Sequence, residues 1–428
     1  MGKGHYWWVW GMVLYALVGH IDIGVALMDD EKSMNSSHNY DYGDALAKAI
    51  LFFEGQRSGK LPSTQRVNWR ADSALSDGNL ENVNLVGGYY DAGDNVKFGW
   101  PMAFTVSLLS WTAIEYESEI SSVKQMEYLR SAIRWGSDFI LRSHSSPTIL
   151  FTQLFDFADK YRGSYSGSCP FYCSYSGYQD ELLWAASWLY KASGESKYLN
   201  YIRNNQGWSQ AVSEFSWDNK FVGAQTLLTQ EFYEGKKDLG KFKNDAESFI
   251  CAVMPGSSSL QIRTTPGGLL YIRDNSNLQY ATSSTMLLFI FSNILRTNHI
   301  NGIQCGSTHF TPSQIRAFAK TQVDYILGSN PMKMSYMVGF GSKYPKHLHH
   351  RGSSIPSIKV HPGKVGCNDG HSDYYSSTNP NPNVHVGAIV GGPDANDHFN
   401  DVRSDYSHSE PTTYINAAFL PSLAALIS

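Results

Sequence analysis

Thr311-Pro-Ser-Gln-Ile-Arg-Ala-Phe-Ala-Lys-Thr-Gln-Val-Asp-Tyr-Ile-Leu-Gly328 is the best-punctuated helix in the chain. Thr311 can cap the first turn, and Pro312 occupies a position where a missing N–H costs nothing. Gln314 completes a capping box, and Gly328 can close the C-terminal end. The same helical period recurs on either side of this segment. Met126, Leu129, Ile133, Gly136 and Ile140 share one face, as do Leu239, Phe242, Ala246, Phe249 and Val253. Helices are expected over 42–57, 101–119, 123–142, 178–192, 195–206, 217–233, 238–254, 279–296, 312–327 and 412–427. Strand signals reduce to a short hairpin around 268–272, so the fold class is all-α. The connections 58–100 and 329–411 are polar, Gly-rich and too long to be mere linkers, which marks them as carriers of function.

The composition agrees with a helical globule. Of 428 residues, 42% are apolar and 17% charged, with a mean hydropathy of −0.30, values that exclude a disordered chain and a polytopic membrane protein. Lys and Arg (34) nearly balance Asp and Glu (38) without a basic run, so no nucleic acid partner is expected. The 26 Tyr and 11 Trp offer apolar faces with polar edges, suited to stacking on sugar rings, although most must serve the core.

At the N-terminus, Lys3 and His5 precede an apolar run from Tyr6 to Val18 that is too short to span a bilayer and suits a signal peptide. Gly24-Val25-Ala26 offers a cleavage site. Residues 1–26 are therefore expected to be a secretory signal, with a buried or interfacial helix as the alternative, and 27–428 a single domain. A sequon at Asn35 agrees with secretion. The five cysteines are an odd number, so at least one thiol is left over, and Cys169 and Cys173 are too close in sequence to staple a long loop. No Cys-x-x-Cys pair supports structural zinc.

Three stretches could carry chemistry. Gly87-Gly-Tyr-Tyr-Asp91-Ala-Gly-Asp94-Asn95 sets two carboxylates three apart, with Gly93 allowing a turn that lets both face one water. The alternative is an Asx-turn or a calcium loop, but the loop opening at Asp77 has Asn82 where an EF-hand needs Gly. Ser335 to Gly341, Lys343 and His349-His350-Arg351 could bond sugar hydroxyls or tune a carboxylate. His347, His349 and His350 lack a partner motif that would complete a metal site, so neither metal nor cofactor is expected. Phe399 to Ala417 sets Asp401, Asp405 and Glu410 before the last helix, where anions are also favoured by the helix dipole alone.

Together these motifs resemble the plant-type endoglucanases of glycoside hydrolase family 9, from about Tyr40 to the C-terminus. The resemblance implies an (α/α)6 barrel of helical hairpins, with loops at one end forming an open cleft for a β-1,4-glucan. It implies a secreted, cell-wall enzyme, acting as a monomer without membrane attachment after signal cleavage, that hydrolyses internal bonds with inversion. It implies Asp94 as catalytic base, Asp91 as its partner in orienting water, and Glu410 as general acid. His349, Arg351, Asp401 and Tyr406 would position the sugar at the cleavage point. Inversion requires the two carboxyls to stand about 6.5 to 9.5 Å apart across the sugar. Glu410 must stay protonated, which burial near Tyr406 and Tyr414 would favour. The chain ends at Ser428, so no appended carbohydrate-binding module is expected. The sequence departs from the family pattern after Gln153, where it passes directly to Leu154-Phe-Asp-Phe-Ala-Asp-Lys-Tyr161. The barrel is accordingly expected to be incomplete by about two helices there, with Leu154 to Tyr161 as a two-turn remnant. An inactive or weakly active truncated variant that retains only glucan binding is the alternative function.

Overall fold

The computed structural model describes residues 40–143, 151–259 and 261–427. The expected signal, the Asn35 sequon and the stretch 144–150 lie outside the described residues. All the expected helices form. Pro312–Leu327 carries the predicted Thr311 capping box with Gln314, and Gly328 donates back to Asp324 and Tyr325. The expected 101–119 helix is interrupted at Tyr116, giving Gly99–Glu115 and Glu117–Ser122. Where the sequence predicts a remnant over 154–161, the longer helix Phe151–Lys160 is present. It is held by Phe155, whose ring packs edge-on against Tyr198 and Tyr201. The hairpin near 268–272 amounts to one bridge, Thr264 to Leu270. A two-stranded hairpin forms instead at Ile303–Cys305 and Thr308–Phe310, where Gly306 turns the chain at φ 61°.

The helices pair as inner and outer members of a ring. Thr413–Ala424 lies between Gly99–Glu115 and Leu278–Thr297, which continues through Phe221–Tyr233 to Gln179–Ser193. Each inner helix is backed by an outer one: Tyr42–Gly55 on Thr413–Ala424, Met126–Ser143 on Gly99–Glu115, Ser196–Asn204 on Gln179–Ser193, Gly240–Val253 on Phe221–Tyr233, and Pro312–Leu327 on Leu278–Thr297. Phe151–Lys160 also packs on Gln179–Ser193. These five pairs, with Phe151–Lys160 beside them, form a barrel of helical hairpins of the (α/α)6 class. The division follows sequence polarity, because a helix apolar all round can only be central. Every residue of Thr413–Ala424 is buried, whereas Met126–Ser143 buries only a stripe formed by Met126, Leu129, Ala132, Gly136 and Phe139. Between Gly99–Glu115 and Gln179–Ser193 the inner wall is closed by tryptophans, with Trp111 5.7 Å from Trp184 and 5.5 Å from Trp188, ring centre to ring centre.

Chain direction sets where the loops gather. The long connections, including 56–98 and 328–412, lead from an outer helix into the N-terminal end of the next inner one. They therefore collect at one end of the barrel. Two disulfides form, Cys169–Cys173 within a short loop and Cys251–Cys305 across 54 residues, and Cys367 is free and exposed. By loop-closure entropy a bridge of the second length contributes about 4 kcal/mol. Among the described residues no helix is long and apolar enough to cross a membrane.

Candidate active site

Three loops at this end are sewn together by main-chain hydrogen bonds. Arg351 N–H donates to Gly93 O (2.8 Å), His349 N–H to Ser409 O (3.2 Å) and Thr413 N–H to Asp91 O (3.0 Å). The Asp91–Asp94 turn, the His349–Arg351 element and the Glu410 segment are thus neighbours, although far apart in sequence. Gly93 is needed for their close approach. A Cβ there would lie 2.0 Å from His349 O and 2.8 Å from Glu410 Oε1, closer than any side chain tolerates.

Glu410 lies just after the short helix Tyr406–Ser409 and before the Thr412 cap of the final helix. Its Oε1 accepts a hydrogen bond from Gly93 N–H at 2.9 Å. Burial pushes its carboxyl up to about 7, helped by the negative charges of Asp91 and Asp94 and opposed by the Gly93 bond. Asp94 has the opposite setting, half exposed and ion-paired to Arg351 Nε. One acid is therefore hidden and proton-retaining, while its neighbour is open and charge-paired. Such a divergence is what separates acid from base at an active site.

Asp91 does not share the exposure of Asp94. It is 4% exposed, its Oδ2 accepts from Tyr172 Oη, and burial pushes its carboxyl up to about 7 against that hydrogen bond. Tyr172 is carried by the Cys169–Cys173 loop and touches Tyr414 Oη at 3.2 Å. His349 donates from Nδ1 to Arg403 O (3.0 Å), which leaves Nε2 as an acceptor. Burial holds its pKa below the usual histidine range. Its ring meets Tyr375 at 5.6 Å and Tyr406 at 6.0 Å, both edge-on. Tyr406, 56% exposed, offers a face to a ligand. A cavity of about 420 Å3 opens beside His349, Arg351, Tyr375 and Cys367.

Asp401 is occupied differently. Its oxygens accept from the N–H groups of Lys346 (2.8 Å) and His347 (2.9 Å), and His347 Nδ1 lies 3.0 Å away. It anchors the chain leading into His349. The three histidines go to separate partners: His347 to Asp401 and Thr378 O, His349 to Arg403 O, and His350 to Gln56 and Ser353 N–H. Sequence reasoning missed Tyr172 and Arg403. The Arg403 guanidinium donates to Asn381 Oδ1 and to the carbonyls of Tyr374, Tyr375 and Asn379, tying the 374–381 loop to the acidic block. Tyr172 belongs to no local pattern, and Arg403 stands inside the 399–417 block without a residue type that marks its role there, so only spatial contact exposes them.

The two raised carboxyls make stability fall with pH. Each binds its proton more tightly in the folded state than in the unfolded chain, so the stabilisation is complete below the ordinary values of 3.8 and 4.5. It is lost as pH rises through about 7. The part-buried His349 and the buried His350 and His385, whose pKa values are lowered, pull the other way over the same window. The difference between parent and Glu410→Gln therefore isolates the carboxyl: relative to the parent, Glu410→Gln should gain stability between about pH 4.5 and about pH 7.5, by the contribution of roughly one proton. Melting curves for both proteins across this window give the check, and a difference that does not change with pH would contradict the raised Glu410 carboxyl.

Comparison with known proteins agrees with this geometry. The sequence profile of Glycosyl hydrolase family 9 matches residues 42–154 and 152–423. An endoglucanase of Phaseolus vulgaris is 70% identical over 474 aligned positions, covering 95% of this chain and 96% of the relative. Endoglucanase 20 of Arabidopsis thaliana is 61% identical, covering 91% and 95%. Among solved structures, the endoglucanase of the termite Nasutitermes takasagoensis superposes with a TM-score of 0.78 at 33% identity, over 91% of this chain and 99% of that one. The Clostridium thermocellum endoglucanase CelQ, complexed with cellobiose and cellotriose, gives 0.76 at 28% identity, over 90% and 70%. With the family's profile spanning almost the whole described chain and loops that unite its acidic motifs, the chain belongs to glycosyl hydrolase family 9 and is a glycoside hydrolase.

Proposed function

We propose that the chain is a secreted endo-β-1,4-glucanase that hydrolyses internal bonds of cellulose-type glucans with inversion, Asp94 acting as base and Glu410 as acid. The observation that carries this reading is the contrast between the two carboxyls. Glu410, pushed up to about 7 by burial, keeps a proton for the leaving oxygen, and the exposed Asp94, ion-paired to Arg351, can take one from water. Asp91, buried behind the turn, steadies it, and His349 with Tyr406 contributes a sugar-binding wall. Asp401 acts one step back, by fixing the loop that presents His349. The endoglucanase names of the relatives support the glucan substrate, and two formed disulfides agree with an oxidising, extracellular setting.

The barrel is also inferred to be short after Gln153. The profile match breaks at 152–154, and an alignment of 474 positions exceeds a chain of 428 residues, so gaps must open on this side. Asp91, Asp94, His349, Arg351 and Glu410 all lie outside that break. The experiment is reducing-sugar release from carboxymethylcellulose by the purified chain, with proton NMR of the first product from a soluble cello-oligosaccharide. The α-anomer is expected first, as inversion at a β-bond requires. Initial β-anomer would refute inversion, and a folded chain that binds glucan but releases no sugar would support the binding-only alternative.

A further inference from the structure

We infer that Gln56 is a positioning residue for hydrolysis, a four-way hydrogen-bond node that locks the turn bearing Asp91 and Asp94 to the element bearing His349 and Arg351. The inference rests on the base and acid assignments proposed above.

Gln56 follows the first helix and is fully buried. Its amide nitrogen donates to Tyr90 O (3.2 Å) and Ala92 O (2.9 Å), the two carbonyls that flank Asp91. Its amide oxygen faces two imidazoles, His350 Nε2 at 2.7 Å and His385 Nε2 at 3.1 Å. The backbone reinforces the clamp, because Tyr90 N–H donates to Gln56 O at 2.8 Å. A glutamine amide has two donor hydrogens and an oxygen with two lone pairs, and all four are used.

The chemistry fixes the polarity of this node. Turning the amide over would set its oxygen against two carbonyl oxygens. The nitrogen must therefore face Tyr90 and Ala92, and both histidines must donate from Nε2. An independent contact agrees: Ser353 N–H donates to His350 Nδ1 at 3.0 Å, so the proton of a neutral His350 lies on Nε2. Both rings stay neutral donors because burial, with the nearby Arg70 guanidinium, drives their pKa values well below the usual range. Phe52 stacks on His385 at 4.7 Å, and Trp69 meets the same ring edge-on at 5.3 Å. Gly55 makes room, since a Cβ there would lie 2.3 Å from His385 Cε1.

A residue needed only for core packing has no reason to find its polar partners at the catalytic loops. Here two bonds end on either side of Asp91, and a third ends on the residue between His349 and Arg351. Loosening the node should shift Asp94 relative to Glu410 without touching substrate. That geometry matters most in the transition state, so kcat should fall while KM holds.

The test uses the full chain on a soluble β-1,4-glucan. Gln56→Met keeps length and burial but none of the four bonds, and kcat should drop about 10- to 100-fold with KM within about twofold. His385→Phe keeps the ring on Phe52 without a donor and should lose about tenfold in kcat, whereas His385→Gln, which restores a donor near Nε2, should stay within about threefold. If Gln56→Met does not fold, the His385 pair decides. NMR of ¹⁵N-labelled histidine gives a readout independent of turnover, in which both rings should be neutral Nε2–H tautomers in the parent protein. Parental kcat in Gln56→Met, equal loss in both His385 variants, or a ring protonated at Nδ1 would overturn the node. A folded parent that shows both tautomers but cleaves no glucan supports the node and refutes the proposed function instead.

Discussion

Glu410→Gln is expected to lower kcat on a soluble β-1,4-glucan by about 10²- to 10⁴-fold, the usual range for losing a general acid, while glucan binding is largely retained. The amide keeps the shape of the carboxyl, and its oxygen can still accept the Gly93 N–H that holds Glu410 Oε1 at 2.9 Å. What it lacks is a proton acidic enough to give to the leaving oxygen. The wild-type rate should also decline on the alkaline side as Glu410, pushed up to about 7 by burial, loses its proton, and that limb should vanish from any residual activity of the variant. Steady-state rates from about pH 4 to 9, with binding followed by calorimetry on a cello-oligosaccharide, measure both effects. Unchanged turnover would reject Glu410 as the acid. Turnover lost together with binding would mean that the carboxyl holds the sugar rather than protonating it.

What could be read in the sequence divides along physical lines. The Pro312–Leu327 helix is legible because its caps are local: Thr311, Pro312, Gln314 and Gly328 all act within a turn of where they stand. The break at Tyr116 is not, because the apolar pattern runs on through it while the chain turns there, with Tyr116 buried and its hydroxyl 3.2 Å from Asn293. Phe151–Lys160 is anchored although a helix so short gains little by itself, because Phe155 is held by Tyr198 and Tyr201, which local propensity cannot register. Glu410 and Asp94, the proposed acid and base, were accessible as motif residues. Their unequal settings were not, since they depend on which partners the other loops bring, Gly93 N–H to Glu410 and Arg351 to Asp94. Asp401 illustrates the same limit: its motif position suggests sugar contact, yet its oxygens are taken by Lys346 and His347. Gln56 is hidden altogether, because its partners stand at Tyr90, Ala92, His350 and His385, and no spacing links them.

The Asp-Ala-Gly-Asp turn should prove chemically asymmetric. Asp94→Asn is expected to cost about 10²- to 10⁴-fold in kcat, because its carboxylate is the half-exposed one beside Arg351 and an amide cannot take a proton from water. Asp91→Asn should cost closer to about tenfold, since a buried group acts on the water's orientation rather than on its deprotonation. Burial supports this ranking. Asp91 is pushed up to about 7 and its Oδ2 accepts from Tyr172, so at about pH 5 the native side chain already carries a proton, and a neutral amide of the same shape replaces it with its oxygen still facing Tyr172. Asp91→Asn should also raise the thermal midpoint above pH 7, where the native carboxyl must ionise without solvent, whereas Asp94→Asn loses an exposed ion pair worth at most about 1 kcal/mol and should melt nearly as the parent does. Rates and melting curves at pH 5 and pH 7.5 for the two variants separate these outcomes. Equal and complete loss in both, with folding preserved, would mean that the two aspartates act as one unit and that the buried carboxyl shares the proton transfer.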